Sequence, residues 1–170
     1  MNELLTPAVN EICERFDGKA SEFRGDVTVL LPADKVVQAA AVLRDEFEFD
    51  MLSAETAVDY WPQTSPRFHV VYIFYSTKSK LYLTFRAPLD GDTPSIATME
   101  TVFPNANWRE REIWDLMGIR FEGHSDLRRI LMPPNWQGHP LRKDYPLGYE
   151  EVQHTFNLKE IDLRKPKGVR

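Results

Sequence analysis

The chain has 170 residues, of which 42% are hydrophobic, 12% aromatic and 28% charged, a composition that supports a packed core and excludes a disordered chain. That length suits one domain, with room for an arm. A formal charge of −5 and a pI near 5.4 argue against a general nucleic-acid binder, which needs a basic face to neutralise phosphates.

Cys13 is the only cysteine, so no internal disulfide can form, and this chain alone cannot build an iron–sulfur cluster or a cysteine-based zinc site. The histidines, His69, His124, His139 and His154, form no helix-spaced ligand pair, which favours hydrogen-bonded structural roles over a metal site. No apolar run reaches the roughly 18–20 residues of a membrane span, and the first residues lack a basic region followed by an apolar stretch. The expected location is therefore the cytoplasm or the cytoplasmic side of a membrane. Charge is uneven: residues 1–107 carry 9 Lys/Arg against 16 Asp/Glu, and residues 108–170 carry 12 against 10, so two surfaces of different character are expected.

Thr6-Pro7 is a helix start, with Thr6 as N-cap and Pro7 at the first helical position. Val9, Ile12, Cys13 and Phe16 follow at helical spacing, and Gly18 ends the helix. This spacing puts Cys13 on the buried stripe, as an inert core thiol. Residues 26–31 are rich in β-branched and aliphatic side chains and predict a strand; Pro32 then opens a second helix with Val36, Ala40, Leu43 and Phe47 on one face. Strands are predicted over about 51–60, 68–75 and 80–86, the last two joined by the turn-like Ser76–Ser79 into a hairpin, so an antiparallel meander is the simplest arrangement. A polar loop over 87–94 and a short helix over Ser95–Val102 complete an α+β unit: N-terminal helices packed on a mainly antiparallel sheet, ending near residue 103. A short helix and an irregular, extended C-terminal segment follow. No glycine pattern for phosphate binding and no nucleophile elbow occurs, so nucleotide binding has no sequence support and nucleophilic catalysis little.

Residues 108–146 hold three of the four tryptophans, four prolines, seven basic and six acidic residues, too dense a set for a solvated loop. Asn107 is placed to cap a helix over about 108–117 whose third residue, Glu110, reaches back in a capping box, and Gly118 ends it. Helical spacing aligns Glu110, Ile113, Trp114 and Met117 on one face and pairs Arg111 with Asp115 four residues apart. After Gly118, the glycines and prolines forbid a long helix while Leu127, Ile130, Leu131, Met132 and Trp136 still call for burial, which predicts an irregular, pinned loop. Arg128, Arg129, Arg142 and Lys143 near Asp126 and Asp144 suit desolvated ion pairs within the chain or across an interface. The competing reading is a solvated rim. Tryptophan interleaved with arginine favours an interface centre. Glu110, Glu112, Asp115 and His139 are acid–base side chains, but no nucleophile, metal set or cofactor loop accompanies them. Residues 147–170 contain too few apolar residues for a core of their own and suit an extended arm ordered along a partner.

Glu110-Arg111-Glu112, Asp115 to Ile119, Phe121 to His124, Asp126 to Leu131 and Gly138 to Pro146 together resemble the signature of the C subunit of bacterial NADH:quinone oxidoreductase, the counterpart of the thirty-kilodalton subunit of mitochondrial complex I. Ala57 to Tyr60, Arg67 to Tyr72 and Pro104 to Trp108 are more weakly similar to upstream segments of that family. Ser125, where the family often has proline, and Pro134-Asn135, where an acidic residue is common, depart from it. The resemblance implies a non-catalytic structural subunit of the hydrophilic arm, peripheral on the cytoplasmic side of the bacterial inner membrane and attached to it only through the complex. It also implies that the chain has no cofactor of its own, that flavin and iron–sulfur clusters reside in partner subunits, and that it clamps the large D subunit near the B and I subunits. The expected partner interface comprises Glu110, Arg111, Glu112, Asp115, His124, Arg128, Arg129, Trp136, His139, Arg142, Lys143, Asp144 and Tyr145. The nearest alternative is the equivalent subunit of a membrane-bound nickel–iron hydrogenase or a deazaflavin-dependent quinone reductase.

Overall fold

A computed structural model describes residues 3–91 and 93–146. Helix α1 (Thr6–Phe16) leads into a hairpin of β1 (Lys19–Phe23) and β2 (Asp26–Leu30), then α2 (Val36–Phe47). A meander of β3 (Met51–Asp59), β4 (Phe68–Ser76) and β5 (Leu81–Leu89) follows, and β6 (Ser95–Ala97), α3 (Ala106–Met117) and β7 (Arg120–Glu122) complete the described elements. The main sheet has the order β1-β2-β5-β4-β3. Helix α2 carries the chain from β2 to the far edge, and the antiparallel meander returns so that β5 lies beside β2, in parallel. The expected α+β class and mainly antiparallel sheet are observed.

Alternation decides which face of the sheet is buried. Leu52, Glu55, Ala57 and Asp59 of β3 pair with Phe74, Tyr72, Val70 and Phe68 of β4, which pair in turn with Leu83, Phe85, Ala87 and Leu89 of β5; all twelve are buried. Against this face pack Val9 and Ile12 of α1, Ala39, Ala40 and Leu43 of α2, and Ala106 and Ile113 of α3, in one continuous core. Burial of a Leu, Ile or Phe side chain contributes about 1.5–3 kcal/mol each, so this face supplies most of the drive to fold.

Several local expectations are corrected. The N-cap of α1 is Leu5, one residue early, and no side-chain cap is made. Pro32 starts a turn, not the helix itself, which begins at Val36. Cys13 is only partly buried, and burial raises its thiol pKa. The β1 strand was not expected: all five of its residues are exposed, so it has no alternation to reveal it. Its turn uses Arg24 and Gly25, both at positive φ (53° and 90°), the backbone of a tight hairpin. The helix expected over 95–102 is absent. Residues 95–97 form β6, paired in parallel with β7, because Arg120–Glu122 supplies the backbone partners. Helix α3 starts at Ala106 with Asn105 as N-cap, and the Asn107–Glu110 capping box does not form. The arm expected over 147–170 lies outside the described residues.

Candidate partner-docking site

Helix α3 and the loop after it form one polar construction, and its centre is Asp115. This carboxylate is fully buried; its Oδ2 accepts the backbone N–H groups of Ile130, Leu131 and Met132 at 3.0, 2.9 and 2.8 Å. Its Oδ1 accepts Arg129 Nη1 at 2.5 Å. Burial alone would raise the Asp115 pKa, but the Met132 N–H, the Arg129 guanidinium and the other two amides outweigh it and hold the carboxyl below its ordinary range. One helical side chain thus fixes three consecutive loop residues.

The loop answers by satisfying the carbonyls that a helix C-terminus leaves unpaired. Gly118, at φ +72°, donates its N–H to Trp114 O at 2.9 Å. The Asp115 carbonyl accepts Arg129 Nη1 and His139 Nδ1 at 3.2 and 2.9 Å; Leu116 O accepts the Leu141 N–H at 2.9 Å; Met117 O accepts Arg142 Nε at 2.6 Å. A carbonyl only accepts, so His139 carries its proton on Nδ1, and burial depresses its pKa. Arg129 and Arg142 also place positive charge at the negative end of the helix.

Arg129 donates further to Trp136 O and Gly138 O at 3.0 and 3.1 Å, so a single guanidinium spans two parts of the loop. Arg111 donates to the carbonyls of Arg128 and Arg129 at 3.1 and 3.2 Å and lies over the Trp108 ring. The expected Arg111–Asp115 pair is therefore not formed: the loop backbone offers each a better-placed partner. The loop also requires glycine at position 138, where a Cβ would meet the Tyr145 ring at 2.8 Å. The Tyr145 hydroxyl donates to Gln137 O at 3.3 Å.

A second polar cluster anchors the end of the loop to the sheet. Arg67, 1% exposed, donates to both oxygens of Asp59 at 3.1 Å each and to Asp144 Oδ1 at 2.7 Å. Asp59 also accepts the backbone N–H groups of Trp61 and Lys143, both at 3.0 Å. These bonds overcome the effect of burial and lower the Asp59 pKa. Asp59 and Arg67 lie in segments noted for their family resemblance but were not among the expected site residues; the further signal available was an aspartate in phase with the buried side of β3.

The third cluster joins α3 to β6. Buried Glu110 accepts Thr98 Oγ1 and the Met99 N–H, each at 2.5 Å. His124 donates from Nε2 to Asn107 O at 3.0 Å and accepts the Asp126 N–H on Nδ1 at 2.9 Å, which defines a neutral tautomer. Behind Glu110 sit Glu55 and Tyr72, whose side-chain oxygens are buried without a hydrogen-bond partner among the described residues. Burial, reinforced by Glu110, pushes the Glu55 carboxyl well above its ordinary pKa.

The expected interface residues therefore divide. Asp115, Arg111, Arg129, His139 and Arg142 converge on α3, with Trp136 supplying a carbonyl to the same frame; Asp144 belongs to the Arg67 cluster and His124 to the Glu110 cluster. Glu112 is exposed, Lys143 contributes its backbone N–H, and Arg128 forms an exposed pair with Asp126 at 2.8 Å. Around this frame, Trp108, Leu131 and Leu141 are 64%, 60% and 53% exposed.

Residues 29–151 match the family described as the 30 kDa subunit of respiratory-chain NADH dehydrogenase. The chain belongs to that family. It is 44% identical over 149 residues to the C subunit of NADH-quinone oxidoreductase from Roseiflexus sp. strain RS-1, a match covering 86% of this chain and 85% of the relative. It is 46% identical over 143 residues to the same subunit from Geobacter sulfurreducens, covering 82% and 88% of the two chains. The solved trypsin-resistant fragment of Nqo5 superposes with a TM-score of 0.65 at 28% identity, over 73% of this chain and 99% of the fragment. A chain of the membrane-bound sulfane sulfur reductase, an archaeal respiratory membrane complex, superposes with a TM-score of 0.72 over 84% and 85% of the chains; at 23% identity it shares the fold.

Proposed function

We propose that the chain is a non-catalytic structural subunit in the hydrophilic arm of a proton-translocating NADH–quinone oxidoreductase, binding neighbouring proteins and holding no cofactor itself. In such an assembly electrons pass from NADH through flavin and iron–sulfur centres of other subunits to a quinone. The observation that carries this reading is how the polar groups of α3 and its loop are used. A general acid or base must exchange protons with a substrate, whereas Asp115 is sealed from solvent and held ionised by four donors. The clusters consume their hydrogen-bonding capacity in fixing a loop of irregular backbone. Outward, the exposed Trp108, Leu131 and Leu141 stand among charged side chains such as Glu112 and the Arg128–Asp126 pair, a mixture of apolar anchors and polar rim that suits an interface.

The partners of this reading are the D subunit, with the B and I subunits nearby, and attachment to the cytoplasmic face of the inner membrane is through them. No helix among the described residues is long and apolar enough to cross a membrane. The partner set distinguishes this assembly from a nickel–iron hydrogenase or a deazaflavin-dependent quinone reductase. Native purification of a tagged chain should bring with it a flavin-bearing, NADH-oxidising module, while the purified chain alone should be colourless and give no turnover with NADH and an electron acceptor. Stoichiometric flavin or cluster absorbance from the chain alone would refute the proposal.

A further inference from the structure

Among the described residues the helices pack on one side of the main sheet; on the other side no helix or strand lies over it, and only Tyr60 packs there, against His69 and Arg86. Cross-strand register places Val58, Val71, Ile73, Tyr75, Tyr82 and Arg86 on this side, with Thr56, His69 and Thr84 between them. An antiparallel sheet with one face toward water normally carries polar side chains there. Here half-buried Val58, Val71, Ile73 and Tyr75 share the face with only a few polar groups, Thr56, His69, Thr84 and Arg86, and Tyr82 is 55% exposed. A sheet face this rich in apolar and aromatic side chains, with no helix or strand over it among the described residues, suits an interaction surface.

Arg86 is the only lysine, arginine, aspartate or glutamate that β3, β4 and β5 present on this side. It donates to the Tyr60 hydroxyl and lies over that ring, 5.9 Å from its centroid. Its Nε is buried without a partner, and no carboxylate among the described residues forms an ion pair with it. The other partly or fully buried arginines of the site, Arg67, Arg111, Arg129 and Arg142, each donate to a carboxylate or carbonyl oxygen. Beyond the donor it gives to the Tyr60 hydroxyl, the half-buried Arg86 guanidinium keeps hydrogen-bonding capacity that an anion would complete. The counter-charge of Arg86 is therefore to be sought outside the described part of this chain.

We infer that the bare face of the sheet docks a neighbouring protein through an apolar segment bearing one carboxylate, which pairs with Arg86. This rests on the proposed function as an assembly component and adds a second contact surface, on the side of the sheet opposite the α3 frame. The charge arrangement gives the surface a specificity that apolar contact alone lacks, since a partner with a cation at that point would be rejected.

Hydroxyl-radical footprinting of the full-length wild-type chain tests this, free at low and high concentration and again within the natively purified complex. Tyr82 should be readily modified in the free chain at both concentrations and lose most of that reactivity in the complex. In parallel, Tyr82→Glu should leave the unfolding temperature of the free chain unchanged and lower its incorporation about tenfold or more, as loss of an interface anchor does. Arg86→Glu should impair incorporation more than Arg86→Lys. If the wild type co-purifies with an NADH-oxidising complex while Tyr82 stays as reactive as in the free chain, this inference fails and the proposed function stands. Protection of Tyr82 in the concentrated free chain would instead assign the face to a second copy and overturn the inference. Failure of the wild type to co-purify with such a complex overturns both.

Discussion

Asp115 Oδ1 and Arg129 Nη1 lie 2.5 Å apart, with the carboxylate fully buried and the guanidinium side chain 14% exposed. Removing one partner of such a pair leaves the other desolvated and uncompensated. We predict that Asp115→Asn destabilises the protein by roughly 3–5 kcal/mol. Urea unfolding measures the loss, and hydrogen exchange should show the amides of Ile130, Leu131 and Met132 losing protection together. A variant with wild-type stability and intact protection at these amides would contradict the role given to this carboxylate.

Neighbouring arginines should differ sharply. Arg128 pairs with Asp126 in the open, with side-chain exposures of 71% and 51%, whereas Arg129 is held by Asp115 and three carbonyls. Arg128→Ala should cost about 1 kcal/mol or less, as exposed pairs do. Arg129→Ala should cost at least about 2 kcal/mol more, because it leaves a buried carboxylate short of a donor. Equal losses in denaturant melts would show that the loop frame does not depend on Arg129.

Gly118 is required for two separable reasons, its φ of +72° and the His139 and Arg142 side chains, which a Cβ would meet at 2.5–2.7 Å. Gly25 has a φ of +90° but nothing within 4 Å of the Cβ position. Gly25→Ala should therefore show the conformational cost alone, about 1–2 kcal/mol. Gly118→Ala should exceed it and also disturb the His139 and Arg142 contacts. Melting the two variants side by side decides the matter: equal costs would mean that the loop yields freely around residue 118.

Glu55 makes stability depend on pH in a defined direction. Its carboxyl is pushed well above the ordinary range by burial first and by Glu110 second. An acid whose folded pKa exceeds its unfolded value of about 4.3 favours the native state most below that value, and this contribution is lost as pH rises through the folded pKa. Between pH 5 and pH 8 the wild type should thus lose more unfolding free energy than Glu55→Gln, which cannot ionise. Denaturation curves at the two pH values test this, and parallel pH dependence of the two proteins would remove Glu55 from the explanation.

The sequence by itself determined the elements whose signals are local. The 3.6-residue spacing of Val9, Ile12 and Phe16, the alternation through Phe68–Ser76, and Gly118 just beyond the last helical turn each report burial or backbone conformation within a few residues, and each marks an observed element. The single cysteine and the proline-rich run after Gly118 were equally legible. Tertiary structure decided what depends on distant partners. The exposed β1 strand exists because β2 offers it an edge, and residues 95–97 are a strand because Arg120–Glu122 lies alongside. Glu110 was placed to cap its own helix but serves Thr98 and Met99, and Arg111 and Asp115 bind loop backbone and not each other. Arg67 joins Asp59 to Asp144, although 77 positions of sequence separate Arg67 from Asp144. Periodicity records which side of an element is buried, but the partner of a buried charge is whichever donor or acceptor the folded backbone brings within about 3 Å, and only the completed packing specifies that.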